Sequence, residues 1–304
     1  MANKGWAYTG LAGVAAIWGI NFGVSRLAMD TFDPVVFAFL RFGLAVPLFF
    51  LVLYLKEGSV GVLWRDAAKL ALIGLFGVTL LEILVMYSIK YTTLANASLL
   101  NVAPWPIFAA LFAPLFTKES FTRRIATGGM IAIAGVSLVI LGGGEGLNLS
   151  SDNMKGNLMA FSISLLGALF NLSCMPLMKR YSALRVTAWF SMFGSLFMFP
   201  ITIGSWGTVD WKGLTATDYG VLAFGVLLCT FISFLTWNAA MYRVGAARSN
   251  FFRYVVPAAA VITGYIMFDE QITLWQIGGG IVMAAGLIWI SAERKSAAVE
   301  GSAK

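Results

Sequence analysis

Apolar residues fall in ten long runs, near residues 7–25, 35–55, 69–89, 95–116, 125–142, 156–178, 186–204, 219–241, 247–268 and 273–291. Polar residues collect between them, and the longer links at 56–68, 143–155 and 205–218 carry the Gly, Ser, Asp and Asn of plain loops. A helix of about 20 apolar residues crosses the ~30 Å hydrocarbon layer, so each run predicts one transmembrane helix. The runs, numbered here as spans 1 to 10, use nearly all of the 304 residues and leave no room for a water-soluble domain. The expected fold class is an all-α integral membrane protein of ten transmembrane helices. Only Lys4 precedes the first run as a charge, and no small-residue cleavage site follows it, so it reads as a retained helix rather than a signal peptide.

A second pattern lies on top of the first. Shifted by 151 positions, Tyr91, Ala95, Ser98, Pro106, Glu119 and Thr122 meet Tyr242, Ala246, Ser249, Pro257, Glu270 and Thr273. Gly128, Gly129, Ala134 and Gly135 meet Gly279, Gly280, Ala285 and Gly286, and upstream Phe39, Phe42 and Gly43 meet Phe190, Phe193 and Gly194. Matches of Ala and Gly arise easily in apolar helices; Pro, Glu, Thr and a Gly-Gly pair in order do not. The expectation is two five-helix repeats, 1–150 and 151–304. Five is odd, so the second repeat enters the bilayer from the opposite side, an inverted-topology duplication. Two such halves support inward-open and outward-open states of similar energy, with a substrate site near the midplane and transport by alternating access.

Composition sharpens this. With 59% hydrophobic and 12% charged residues the chain cannot hide its apolar surface in a water-soluble core. The net charge of +7 would suit nucleic acid, but topology explains it better. With the N-terminus in the cytoplasm, fifteen Lys and Arg fall on the inner side and only Arg26, Lys90, Lys155 and Lys212 on the outer. Both termini are therefore expected to be cytoplasmic, in a bacterial inner membrane. Histidine is absent. That removes Ser-His and Cys-His nucleophile pairs and the usual zinc ligand sets. Cys174 and Cys229 lie inside runs as small packing residues, without metal spacing. No catalytic residue, metal or cofactor is expected, and an enzyme is disfavoured.

Glu82 is the one carboxylate deep in a span, and Arg41 lies at matching depth in span 2. The pair is open to three readings: a structural ion pair, a proton-coupling site or an outer gate. Arg253 lies inside the inner end of span 9, beside Tyr254, where it either attracts a substrate carboxylate or snorkels to the surface. Asn21, Asn101, Asn171 and Asn238 are amides within or near the spans, suited to packing or to holding a polar solute. Trp18, Tyr87, Trp105, Trp237 and Tyr254 supply aromatic wall. Pro104, Pro106 and Pro257 interrupt spans 4 and 9 at corresponding depths and read as hinges. Gly128, Gly129, Gly279 and Gly280 permit close helix packing.

The Trp18-Gly19-Ile20-Asn21-Phe22 stretch, the Pro106 and Pro257 spans, and the Lys118-Glu119-Ser120 and Asp269-Glu270-Gln271 turns before Gly-Gly helices carry a resemblance. The chain resembles the drug/metabolite transporter superfamily in its ten-helix EamA-type branch, most of all the YddG-type amino-acid exporters. The resemblance implies a basket of helices 1–4 and 6–9 around a central cavity, with helices 5 and 10 to the side. It also implies export of amino acids, aromatic and other neutral ones included, and of related metabolites. The partners implied are a small-molecule substrate and the lipid bilayer, with no nucleic acid, and a monomer or weak homodimer. Small multidrug relatives carry an essential glutamate in the first helix; this chain has none there. A multidrug or cationic-compound exporter and, lower in rank, a sugar or nucleotide-sugar carrier remain the alternatives.

Overall fold

A computed structural model describes residues 5–116, 122–141, 151–244, 249 and 252–302, and the described residues form helices and links without strands. The elements are α1 (Gly5–Ala28), α2 (Pro34–Glu57), α3 (Trp64–Tyr91), α4 (Leu94–Val102), α5 (Trp105–Phe116) and α6 (Arg123–Leu141). They continue with α7 (Asp152–Met178), α8 (Ala183–Thr202), α9 (Ala216–Ala223 through Ser233–Val244), α10 (Val255–Phe268) and α11 (Leu274–Ser302).

Local chemistry sets the helix ends. The Asp33 carboxylate accepts from the Val35 and Val36 amides, and Pro34 opens α2 where its missing N–H is not needed. Thr93, Ser151 and Ser182 cap α4, α7 and α8 by the same device. Thr215 and Asp218 form a reciprocal box at the start of α9. Gly58, at φ 66°, stops α2 in the left-handed conformation that a glycine adopts without strain.

Among the described residues six helical stretches are long and apolar enough to cross a membrane: Gly5–Ala28, Pro34–Glu57, Trp64–Tyr91, Asp152–Met178, Ala183–Thr208 and Ala216–Ala240. The apolar stretches Ala126–Val139, Val255–Phe268 and Leu274–Gly286 are shorter. Span 4 is two half-helices, α4 and α5, rather than one kinked rod. The chain breaks at Ala103-Pro104, and the Pro104 carbonyl restarts the ladder by accepting from Ile107 and Phe108. Pro257 sits in the first turn of α10, at the matching place. Large apolar side chains such as Leu55, Leu115, Ile266 and Ile281 stay exposed, as a lipid-facing surface requires.

Both α3 and α9 contain a π-helical segment, Leu75–Leu80 and Phe224–Ile232. In each, a threonine hydroxyl reaches five residues back, Thr79 to the Gly74 carbonyl at 3.5 Å and Thr230 to that of Gly225 at 2.8 Å.

Helix α1 packs on α9 and α10; α7 packs on α3, α4 and α5; α2 and α8 pack on each other; α4 packs on α10; and α6 packs on α11. The α6–α11 seam is glycine on backbone. A Cβ at Gly135 would lie 2.7 Å from the Gly279 carbonyl, and one at Gly286 would lie 2.7 Å from that of Gly128. These two contacts make the helices antiparallel. Gly129 and Gly280 turn elsewhere, toward Leu111 of α5 and Leu99 of α4, so the seam uses Gly128 and Gly279 with Gly135 and Gly286.

Candidate functional site

Arg253 lies in the turn before α10, and three tryptophans from three other helices surround its guanidinium. The ring centroid of Trp105 is 4.4 Å away, that of Trp237 5.1 Å and that of Trp18 5.6 Å. Each ring face offers partial negative charge to the cation. Among the described residues no carboxylate pairs with Arg253, and its enclosed Nε has no hydrogen-bond partner.

The walls are held by irregular backbone. The indole N–H of Trp18 donates to the Cys229 carbonyl at 3.1 Å, inside the π segment of α9. Trp18 and Trp237 lie 4.9 Å apart and tilted. The Trp105 ring occupies space that a side chain at position 167 would fill, since a Cβ on Gly167 would come within 2.1 Å of it. The Tyr254 hydroxyl donates to the Ala103 carbonyl at 3.1 Å, which satisfies a group freed by the break between α4 and α5. Thus the turn that presents Arg253 is tied to the break that presents Trp105.

Asn21 is buried on α1, one turn beyond Trp18, and its side-chain oxygen has no partner. Asn101 is buried near the end of α4, and Asn171 is half-buried in α7. Asn238 is tied to Thr187 of α8 at 3.1 Å. Tyr87 does not join the tryptophans: it stacks on Tyr91 at 5.9 Å, with the Lys90 ammonium over both rings. The side chain of Pro106 and residues 117–121 and 250, with the Lys118-Glu119-Ser120 turn, lie outside the described residues.

Arg41 and Glu82 form an ion pair through the arginine's Nη2, both enclosed between α2 and α3. The Arg41 stem lies against Gly225, where a Cβ would stand 3.2 Å from its Cδ. No cluster of three or more metal-binding side chains occurs among the described residues.

Sequence reasoning did not single out a third cluster. At the end of α1 distant from Gly5, Arg26 pairs with Glu270 and donates to the carbonyls of Thr92 and, at 2.7 Å, Ile89. Glu270 also accepts the Leu94 amide at 2.9 Å, which joins α1, α3, α4 and the α10–α11 turn. Beside it Gln276 donates to Asn96 at 2.8 Å, and Asn96 and Thr92 donate to Asn157 of α7 at 3.1 and 2.8 Å. At the opposite end, buried Asp66 accepts from Arg180 and Tyr181. Glu270 was visible as a repeat partner of Glu119, but no sequence signal joins residues 244 positions apart.

The EamA-like transporter family profile matches residues 5–141 and again 154–292. An uncharacterized transporter of Bacillus subtilis, YetK, is 26% identical over 95% of this chain and 87% of its own length. A probable terminal-alkyne amino-acid exporter of Streptantibioticus cattleyicolor is 24% identical over 90% of this chain and 89% of its own. A solved crystal structure superposes with a TM-score of 0.66 over 92% of this chain and 94% of its own, at 16% identity, and so shares the fold.

Proposed function

The chain belongs to the EamA-like transporter family, and on that premise we propose that it exports amino acids, aromatic and other neutral ones foremost, from the cytoplasm by alternating access. The reading rests on Arg253: a cation within a span, without an acid partner among the described residues, ringed by Trp18, Trp105 and Trp237. A carboxylate supplies the missing counter-charge, and the indole rings offer surface to an apolar side chain. Asn21, on the same face of α1 as Trp18, has a free oxygen to accept from the ammonium group. A lipophilic cation would want the reverse, an unpaired carboxylate, and Glu82 is already engaged by Arg41. A sugar nucleotide would want several free basic groups, where the cage offers one.

The architecture proposed is ten spans in two inverted repeats, 1–150 and 151–304. Two features support it. Exchanging residues by the 151-position shift converts the Gly135–Gly279 contact into the Gly286–Gly128 contact, and it pairs Ala103 with Tyr254, which touch. It likewise exchanges the two π segments and their threonines. Charge placement supports a cytoplasmic membrane with both termini inside, and Pro104, Pro106 and Pro257 serve as hinge points. The Arg26–Glu270 cluster then closes the outer face.

The test uses liposomes loaded with labelled phenylalanine, phenylalanine amide or a lipophilic cation. The expected result is efflux of the acid and little of the others. Equal efflux of the amide, or preference for the cation, removes this reading.

A further inference from the structure

We infer that Arg41 is a second docking point for the substrate carboxylate, beyond Trp18 from Arg253, and that Glu82 is the resident acid which the substrate displaces there and which then expels it. This rests on the functional reading above and extends it to the release step.

Arg41 is only 3% exposed, yet one nitrogen meets Glu82 while Nε and Nη1 have no partner. A guanidinium presents five N–H donors in a fork that takes a carboxylate two at a time. Its two-donor edges are Nε with Nη2 and Nη1 with Nη2; Glu82 meets Nη2 alone, so neither edge has both of its donors filled. A buried pair that served only to rivet helices would be expected to fill those donors.

The surrounding backbone is of a kind that shifts. Glu82 follows the π segment Leu75–Leu80 by two residues, and the Arg41 stem rests on Gly225, the second residue of the π segment Phe224–Ile232. Such segments inside α-helices occur frequently at functional sites. The same segment of α9 holds Trp18 through the Cys229 carbonyl, and Trp18 faces Arg253. The two arginines are thereby linked through one aromatic ring and one irregular helix segment.

The helix packing does not require the ion pair. At a shift of 151, Arg41 and Glu82 correspond to Met192 and Ser233. Around that second place the glycine–threonine pair recurs, Gly225 with Thr230 for Gly74 with Thr79, and no ion pair accompanies it. One copy of the scaffold carries the charge pair, and the other stands without it.

The experiment compares wild type, Glu82→Gln, Arg41→Gln and Arg41→Lys in proteoliposomes of one orientation, loaded with labelled phenylalanine. Assembly is checked by size exclusion, and inhibition of efflux by external phenylalanine is titrated. Glu82→Gln is expected to lower the half-inhibitory external concentration about tenfold and slow maximal efflux, while leaving the internal half-saturating concentration unchanged. Arg41→Gln is expected to abolish external inhibition, and Arg41→Lys, which keeps the charge but loses the fork, to weaken it. Replacing external chloride with methanesulfonate should change none of these constants; a chloride effect lost in Arg41→Gln would assign the site to an inorganic anion and overturn the inference. Unchanged external constants in every variant, or loss of assembly in all three, would make the pair a rivet and overturn it as well. If wild type exports no amino acid at all, the functional reading fails first and takes this inference with it.

Discussion

Arg41 lies within α2 and Arg253 in the turn before α10, and their surroundings differ in kind. Arg41 faces Glu82, an acid from the neighbouring helix. Arg253 faces the π-systems of Trp18, Trp105 and Trp237 and no acid among the described residues. A charge withdrawn from water, wholly as in Arg41 or in part as in Arg253, needs compensation. A carboxylate compensates a cation more strongly than an aromatic face does, and its removal leaves a large deficit. Aromatic faces compensate weakly, so a further anion is still attracted. The contrast separates a cation that shares its donors with a resident acid from one that faces no acid at all among the described residues.

The largest effect expected from breaking this contrast is on stability. Glu82→Ala leaves Arg41 buried without its acid and should cost about 3–5 kcal/mol, read as a fall in melting temperature of the detergent-solubilised protein. Replacing both partners, Arg41→Met with Glu82→Leu, should recover most of that loss, because no orphan charge remains; a double variant as unstable as the single one would mean that the helix contact itself failed.

Arg253→Gln should leave the melting temperature nearly unchanged and cut phenylalanine efflux by at least about tenfold, equivalent to ~1.4 kcal/mol. Efflux at the wild-type rate would show that Arg253 only packs.

Next comes the wall. Trp105→Leu removes the ring nearest the guanidinium, a contact worth about 0.5–2 kcal/mol. It should weaken export of phenylalanine several-fold while alanine export changes little; equal losses for both would point to a folding defect.

The smallest effect belongs to Arg26, paired with an acid as Arg41 is but partly exposed, at 23% side-chain exposure against 4% for Arg41. Arg26→Gln should lower stability by about 1 kcal/mol, since water and salt screen such a pair. A loss as large as that of Glu82→Ala would place Arg26 in the same class as Arg41.

How far the site was legible depended on the kind of relation involved. Arg41 and Glu82 could be matched from their depths in adjacent spans, because an α-helix rises a constant ~1.5 Å per residue. The break at Ala103-Pro104 could be placed because proline lacks the N–H that the ladder needs. The surroundings of Arg253 could not be read: carboxylate docking and snorkelling use the same side chain, and three indoles from α1, α5 and α9 give it an enclosed setting. Tyr87 read as aromatic wall and Asn238 as either packing or solute-holding; in the fold Tyr87 stacks on Tyr91 and Asn238 donates to Thr187. The Gly-Gly pairs named the right helices but not the right residues, since only one glycine of each pair faces the seam.

Hydropathy, charge asymmetry and the 151-position repeat are properties of the chain's linear order. They determined by themselves that this is a helical membrane protein, because insertion of each segment depends mainly on its own apolar length and flanking charge. Which side chains meet across helices was decided only in the folded state. The Arg26–Glu270 clamp, the tryptophans around Arg253 and the half-satisfied Arg41 all depend on rotation and crossing of rods packed side by side. Those angles follow from the shapes of many contacts at once, and no local stretch of sequence encodes them.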